Sequence, residues 1–566
     1  MKRKLNFFPA LLVLFFCMNV SSQDILIVEP GVGTLNAAIK ANGGNKIYQL
    51  RAESWYQLDE IIEIVDYHLQ IIGEVPSGGK MPATLQTNID AGGAVFSKMF
   101  DIKGDFTLKN VYVVNADLGG VVAQECINQS KDNGRIIIQN CILDPISKGN
   151  GIKVTSASTK TYFTDNLVVR QGHRTGLWDG FVFDHWNGNG DIGYDTIYVE
   201  NNTFVCIGSG IHNSNFNHNK HGYEKFNHNT IALVKCMIDW GVWEEEFYWT
   251  NNLMFDVATR LVPRSWNTSL PAMDAAAPNV GLIFADTIPG ETLPSERVQY
   301  IQYNMLYRNP GFTTLLNDLN TKGAADGKSP LYLLPWVWPV DSSGVSRETA
   351  IFNDKVSFPN FQLGNNLENI DPQWEDELIY KMSDSLVSWM NYATQTGDMG
   401  YPSDQYPPAS KWANWHWDLD GDPSYNQAWP VFNGKYKNPQ LLSASIEGLP
   451  LGDLNWFPEK KAIWEANKIA VDIHMHSGST EKLSLGTGIA DKQKASTFSI
   501  YPNPVNDNIR ISKQADEMHI YEISGRKIKS VTNTSSISVS DFPEGMYLLQ
   551  IKTGNEISTE KFIIKK

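Results

Sequence analysis

An asparagine that follows polar or aromatic residues and opens an apolar run recurs seven times in this chain. The copies are Asn110 (LKNVYV), Asn140 (IQNCIL), Asn166 (TDNLVV), Asn202 (ENNTFV), Asn229 (NHNTIA), Asn252 (TNNLMF) and Asn304 (QYNMLY). Successive copies lie 30, 26, 36, 27, 23 and 52 residues apart. Short β-rich units at such a period describe a solenoid, because one strand cannot bury its apolar side alone while stacked coils share a continuous core. An Asn at the same bend of each coil can hydrogen-bond its neighbours' backbones and form a ladder. The last interval fits about two coils with an inserted loop, and YHLQIIGE and TLQTNIDAGG read as coils upstream of the first copy. A β-sandwich or propeller is the alternative, but its closely spaced hairpin turns are not the pattern seen.

These features resemble the right-handed parallel β-helix of the pectate-lyase-like superfamily. The resemblance covers residues 23–310 and implies an all-β fold. The region 311–480 differs: Trp336, Trp338, Trp374, Trp389, Trp412, Trp415, Trp417, Trp429 and Trp456 crowd between prolines. Helices are expected over Asp376–Thr394 and Pro458–His476, the second opening with Pro458-Glu459. The stretch GLPLGDLNWFPEKK (448–461) looks like one found near the end of many secreted bacterial β-helix proteins. Residues 311–480 are therefore expected as loops and helices that pack on and cap the solenoid.

The two ends of the chain concern its destination. Lys2, Arg3 and Lys4 precede the apolar run Phe7–Met18, and Val20-Ser21-Ser22 offers a cleavage site, so residues 1–22 read as a secretory signal peptide. Bulky Phe16 before Cys17 argues against a lipoprotein. At the other end FSIYPNPVNDNI, MHIYEISGRKI and PEGMYLLQI alternate apolar residues between turn residues, which describes a small β-sandwich. Residues 498–566 also closely resemble the C-terminal sorting domain of the type IX secretion system, through Tyr501-Pro502-Asn503-Pro504, Ser524-Gly525-Arg526 and Gly545-Met546-Tyr547. That resemblance implies export across the outer membrane by the type IX machinery, to the cell surface or the medium. Residues 481–497 read as the linker. A net charge of −15 with no basic block argues against nucleic acid, and nothing after the first 25 residues could span a bilayer. Cys126, Cys141, Cys206 and Cys236 show no CxxC spacing and read as buried strand residues. A monomer is expected.

Titratable residues gather in one stretch. His173, His185, His212, His218, His221 and His228 are six of the 11 histidines, and Arg170, Arg174, Asp179, Asp184, Asp239 and Glu244-Glu245-Glu246 lie among them. Consecutive coils would place such residues along one groove. The competing reading is a set of polar residues on long surface loops. Exported β-helix proteins commonly handle polysaccharides. β-Elimination on a uronic acid needs a base and a group that holds the carboxylate; glycoside hydrolysis needs two carboxyls at a defined separation.

Lys153 on one coil and Arg170 on the next resemble the base and acid of the chondroitinase B and alginate lyase family, which implies Lys153 as base and Arg170 as acid. His173 and Arg174 would hold the carboxylate or share the acid role. The family's longer Lys-Ser and Arg-His-Gly signatures and its calcium-binding Asn/Glu/Glu set are not matched. This reading requires Lys153 and Arg170 to project outward into one groove. His212, His218, Trp415 and Trp417 are expected to bind sugar. Asp418, Asp420 and Asp422 (DLDGDPS) are the residues a calcium ion would take, although Gly421 and Trp429 depart from the EF-hand loop pattern. The order of readings is a polysaccharide lyase, then a non-catalytic glycan-binding or adhesive protein, then a glycoside hydrolase that would draw on Asp179, Asp184, Asp239 and Glu244–Glu246.

Overall fold

The computed structural model describes residues 24–171, 180–185, 193–213, 221–235, 239–240, 243–259, 261–263, 282, 294–325, 327, 330–334, 336, 347–396, 432–485, 500–522, 526–554 and 556–566. Of the residues singled out in the sequence, 1–22, His173, Arg174, Asp179, His218, Cys236, Trp338, Trp412, Trp415, Trp417, Asp418, Asp420, Asp422, Trp429, Ser524 and Gly525 lie outside them.

The chain winds through three parallel sheets in turn, with 11, 11 and seven strands. One coil shows the pattern: Lys160–Thr164 in the first sheet, Leu167–Gln171 in the second and Phe181–Asp184 in the third, before Thr196–Glu200 returns to the first. Inward rows stack one residue per coil, as in Phe163, Val199, Phe226 and Trp249. Their rings pack directly, with Phe226 and Trp249 stacked at 4.5 Å and Phe163 edge-on to Phe183 at 5.1 Å. Cys126 and Cys141 belong to the interior core and Cys206 to the cap contact; all three thiols are buried and free.

The bend from first to second sheet explains the repeated asparagine. Asn166, Asn202, Asn229, Asn252, Asn304 and also Asn366 form a ladder, each side-chain amide donating to the next Oδ1 at 3.0–3.1 Å. Each Oδ1 also accepts the preceding coil's backbone N–H, as Asn252 does from Asn229 at 2.9 Å. Buried polar backbone at a tight bend is thus satisfied on every coil. Asn110 and Asn140 are one residue out of register with this row. They occupy the left-handed position before it (φ 55° and 53°), which Asp165, Asn201, His228, Asn251 and Tyr303 fill on later coils. Asn and Asp tolerate that conformation better than most residues.

Two expected boundaries move. Leu253–Val257 pairs directly with Met305–Tyr307, so the 52-residue interval is one coil with a long insertion, not two coils. The sheets also continue past residue 310 to Phe361–Gly364 and Leu367–Glu368, after a helical insertion that begins with Pro310–Ala325. Sequence spacing could not separate an insertion from extra coils.

The region after the solenoid packs on it. Helices Pro310–Ala325 and Leu378–Thr396 cover the outer face of the second sheet, joining Val205, Leu233 and Phe255 in one apolar cluster. Helix Pro458–His476 covers the first sheet over Tyr198, Tyr223, Tyr248 and Tyr300. The GLPLGDLNW stretch is a strap along the bend. Gly452 N–H donates to Asn251 O at 2.8 Å, Asp453 Oδ2 accepts from Thr203 Oγ1 at 2.8 Å, and Trp456 Nε1 donates to Thr203 Oγ1 at 2.8 Å. Leu483 N–H donates to Ile446 O at 2.7 Å, so the expected linker 481–497 starts as packed chain.

The C-terminal strands Ile500–Tyr501, Asn508–Glu522, Lys527–Ser538, Gly545–Thr553 and Glu556–Ile564 form one antiparallel sheet. The long second strand shifts register between Arg510 and Ala515, where such irregularities bend a strand. Val505, Ile520, Leu549 and Phe562 fill its core.

Candidate functional site

With the cap lying on the first and second sheets, the outer face of the third sheet is where polar side chains collect. Strand alternation sends every second residue outward, and the parallel register stacks those residues in one row: Glu63, Asp101, Asn128, Lys153, Asp184 and Asn213. Neighbours in such a row sit one strand spacing apart, about 4.8 Å. Lys98 and Glu125, from the turns that lead into these strands, flank the row.

Lys153 is half-buried and donates to Glu125 Oε1 at 3.1 Å. Lys98 lies 3.6 Å from Glu125 Oε2 and 3.9 Å from Asp101 Oδ2. Asn128 donates to Asp101 Oδ1 at 2.9 Å. Asp184 is buried, and its two oxygens accept from Asn213 Nδ2 at 2.7 Å and Asn150 Nδ2 at 2.5 Å. Asn150 is oriented by the Gly180 and Phe181 N–H groups, which donate to its Oδ1. Burial pushes the Asp184 carboxyl up to about 6, against the pull of Asn213, Lys153 and His212. A carboxyl poised there can give or take a proton near neutrality, while Lys153 supplies positive charge beside it.

Arg170 is not in this row. It stands in the second sheet at a left-handed position (φ 60°) that recurs on each coil at Cys206, Leu233 and Asp256. That left-handed residue interrupts strand alternation, and Cys206 and Leu233 in the same row pack against the cap. Arg170 is buried, its Nε bonded to Asp144, and burial raises the Asp144 carboxyl against the pull of Arg170. The groove shared by Lys153 and Arg170 that the sequence led us to expect is therefore not formed, and Arg170 serves as a buried ion-pair partner of Asp144.

His212 is not a surface ligand either. It shares an inward row with Phe183 and faces the solenoid interior, as does Glu224 in the first sheet. His212 Nδ1 contacts Glu224 Oε2 at 3.2 Å and its Nε2 contacts His185 Nδ1 at 3.2 Å. Tyr194 donates to Glu224 Oε2 at 2.5 Å and stacks on His221 at 4.4 Å. Burial drives His185 well below the usual imidazole range. His228 occupies a left-handed bend position and bonds Glu447 of the strap. Of the described carboxyls considered, Glu244 accepts from Tyr194 at 3.2 Å inside, Glu246 meets Arg526 at 3.5 Å, and Asp184 joins the outer row. Glu125, Lys98 and Asn150 lie outside the strands and carried no sequence signal, and Asn213 shares only the outer row with Asp184. Among the described residues, no group of three or more His, Cys, Asp or Glu side chains is arranged to hold a metal ion.

Residues 499–565 match the family model described as a secretion system C-terminal sorting domain. Comparison with curated proteins finds no matching sequence. Among solved structures, this chain is similar to the PL6 family alginate lyase AlyGC at 13% identity and a TM-score of 0.26, over 51% of this chain and 34% of that one. The chain thus spans about a third of that protein's length. No described helix is long and apolar enough to cross a membrane. The protein is a parallel β-helix that carries a type IX secretion sorting domain and is exported to the cell surface or beyond it.

Proposed function

We propose that the protein is a polysaccharide lyase that cleaves a uronic-acid-containing glycan by β-elimination on the outer face of the third sheet. The observation that carries this reading is the stacking of Lys153 beside Asp184, a carboxyl raised to about 6, in a row flanked by a second cation, Lys98. Lys153 and Lys98 neutralise the uronate carboxylate and so acidify the neighbouring C–H. Asp184 accepts that proton, the C4–O bond breaks, and the leaving oxygen is protonated from solvent or from Asp184 in return.

Hydrolysis is the second reading. It is favoured by the excess of carboxyls in the row and its flanks, where Glu63, Asp101, Glu125 and Asp184 outnumber Lys98 and Lys153. Asp184 would then be the acid and Glu125 the second carboxyl.

Incubating the full chain with alginate, pectate, chondroitin and glucuronan, while following absorbance near 235 nm and reducing ends, separates these readings. Rising absorbance that Lys153→Ala abolishes supports elimination. Reducing ends without absorbance move the assignment to hydrolysis. Neither signal, with binding to one of these glycans retained, leaves a glycan-binding protein and rejects catalysis.

A further inference from the structure

We propose that a cavity between helix Pro458–His476 and the first sheet binds an uncharged pyranose unit of a glycan. The cavity holds about 450 Å³, within the ~300–1,000 Å³ range of small-molecule sites. It opens where the helix runs off the sheet, so outward residues of the coils at 135–139 and 160–164 form its floor instead of packing under the helix.

The floor is an outward row of Ile137, Tyr162 and Tyr198, with the two tyrosine rings 6.1 Å apart and tilted by 42°. Trp464 of the helix forms the facing wall. A pyranose ring presents apolar C–H faces and a polar equatorial edge, which suits aromatic planes with hydrogen-bonding groups beside them. The adjacent row supplies that edge: Gln139 and Thr164 line the cavity half-buried, and neither makes a side-chain hydrogen bond within the described protein.

Charge decides the class of sugar. Each ionic group at this cavity already has an opposite partner in the protein. Glu200 is bound by Lys225 at 2.9 Å and by Lys468, and Asp165 is bound by Lys461 at 2.7 Å. Glu465, the most exposed of them, lies 3.8 Å from Lys461. A uronate entering here would be desolvated with no counter-charge left to meet it, whereas a neutral ring has no charge to desolvate. The third-sheet row differs, since two partly exposed lysines, Lys98 and Lys153, share the carboxylate of Glu125 there. The two sites therefore select different sugars of one heteropolysaccharide, or a neutral anchor and an acidic substrate.

The test titrates the full chain with cellohexaose, mannohexaose, xylohexaose and laminarihexaose, read by calorimetry and by the fluorescence of Trp464 and its neighbours. One of these neutral oligosaccharides is expected to bind. Tyr162→Ala and Gln139→Ala should each weaken that binding at least tenfold, and Lys153→Ala should leave it unchanged. Gln139 is partly exposed, so Gln139→Ala keeps the test valid if Tyr162→Ala fails to fold. The proposal is overturned if none of the four binds, if Gln139→Ala binds as the parent does, or if a uronate hexamer displaces the neutral ligand. Because Lys153→Ala is the control here and the lesion in the elimination assay, the two proposals fail independently.

Discussion

Two parts of the same coil follow opposite rules. From first to second sheet every coil from Asn140 onward turns in two residues, from Gln139 to Ile142, Thr164 to Leu167, Glu200 to Thr203, Asn227 to Thr230, Thr250 to Leu253 and Gln302 to Met305. The left-handed residue and the ladder asparagine recur there, and a strap from the C-terminal region closes over the corner. From second to third sheet the connection runs from Leu143 to Ile152 on one coil and from Ile207 to Gly210 on another. The outer row of the third sheet changes identity at every step, from Glu63 through Asp101, Asn128, Lys153 and Asp184 to Asn213. Repetition at the corner reflects a demand that each coil imposes equally, the satisfaction of buried backbone at a tight bend. Variation in a row of polar residues has no such structural requirement behind it, which is why the chemistry is placed there.

The sharpest way to break this contrast is to strike both parts and compare stability with activity. Asp184→Asn and Lys153→Ala should lower the rate of product formation by about 10²–10⁴-fold. Lys153→Ala should leave the thermal midpoint unchanged, because its side chain is partly exposed and its one ion pair is near the surface. A fall in midpoint with activity retained would make the third-sheet row structural.

Asn252→Ala strikes the corner. It removes a donor to Asn304 Oδ1 and Phe226 O, both at 3.0 Å, and an acceptor for Asn229, all buried. A loss of about 2–4 kcal/mol is expected from thermal or denaturant unfolding. Asn366→Ala, at the half-exposed end of the ladder, should cost about 1 kcal/mol. Equal losses at the two positions would argue against burial as the source of the ladder's value.

Gly452→Ala tests the strap. Gly452 has φ +78°, and a Cβ there would lie 2.5 Å from Thr230 Oγ1. We expect a loss of about 1–3 kcal/mol from left-handed strain and displacement of the strap.

A pH slope tests the strap in a second way. Burial pushes Asp453 up to about 7 from the ordinary 3.8, opposed by its bonds to Asn455 and Thr203. The folded chain therefore holds this proton more tightly than the unfolded one. Its contribution is complete below 3.8 and is lost as pH rises through about 7. Asp453→Asn should match the parent at pH 4 and exceed its midpoint at pH 8. Identical slopes for parent and variant between those values would reject the assignment.

Much of the fold was legible because its cause is local and repeated. Asn166, Asn202, Asn229, Asn252 and Asn304 stand in the row their spacing implied, and the helix expected over Pro458–His476 has those bounds, set by Pro458 at its first turn and its apolar face. Asn110 and Asn140 misled by one residue because two adjacent positions of the bend both accept asparagine, for different reasons: one for its backbone conformation, the other for its side-chain bonds. The site was less legible. Asp184 and Lys153 stood among the titratable residues noted, but nothing local tells an outward Asp184 from an inward His212, since both are polar residues in short strands. Arg170 was misplaced by a left-handed backbone position that strand parity does not reveal.

By itself, the sequence determined that the chain stacks coils and that its C-terminal segment is a sorting domain, because the repeated asparagine and the sorting motifs act through nearby residues. Tertiary structure alone decided that the described cap packs on the first and second sheets, that Lys153, Asp184 and Glu125 meet on the third, and that Arg170 and His212 are sealed elsewhere. The reason is physical: the side a residue faces in a solenoid is set by register across coils and by what packs on each sheet, and both are relations between distant parts of the chain.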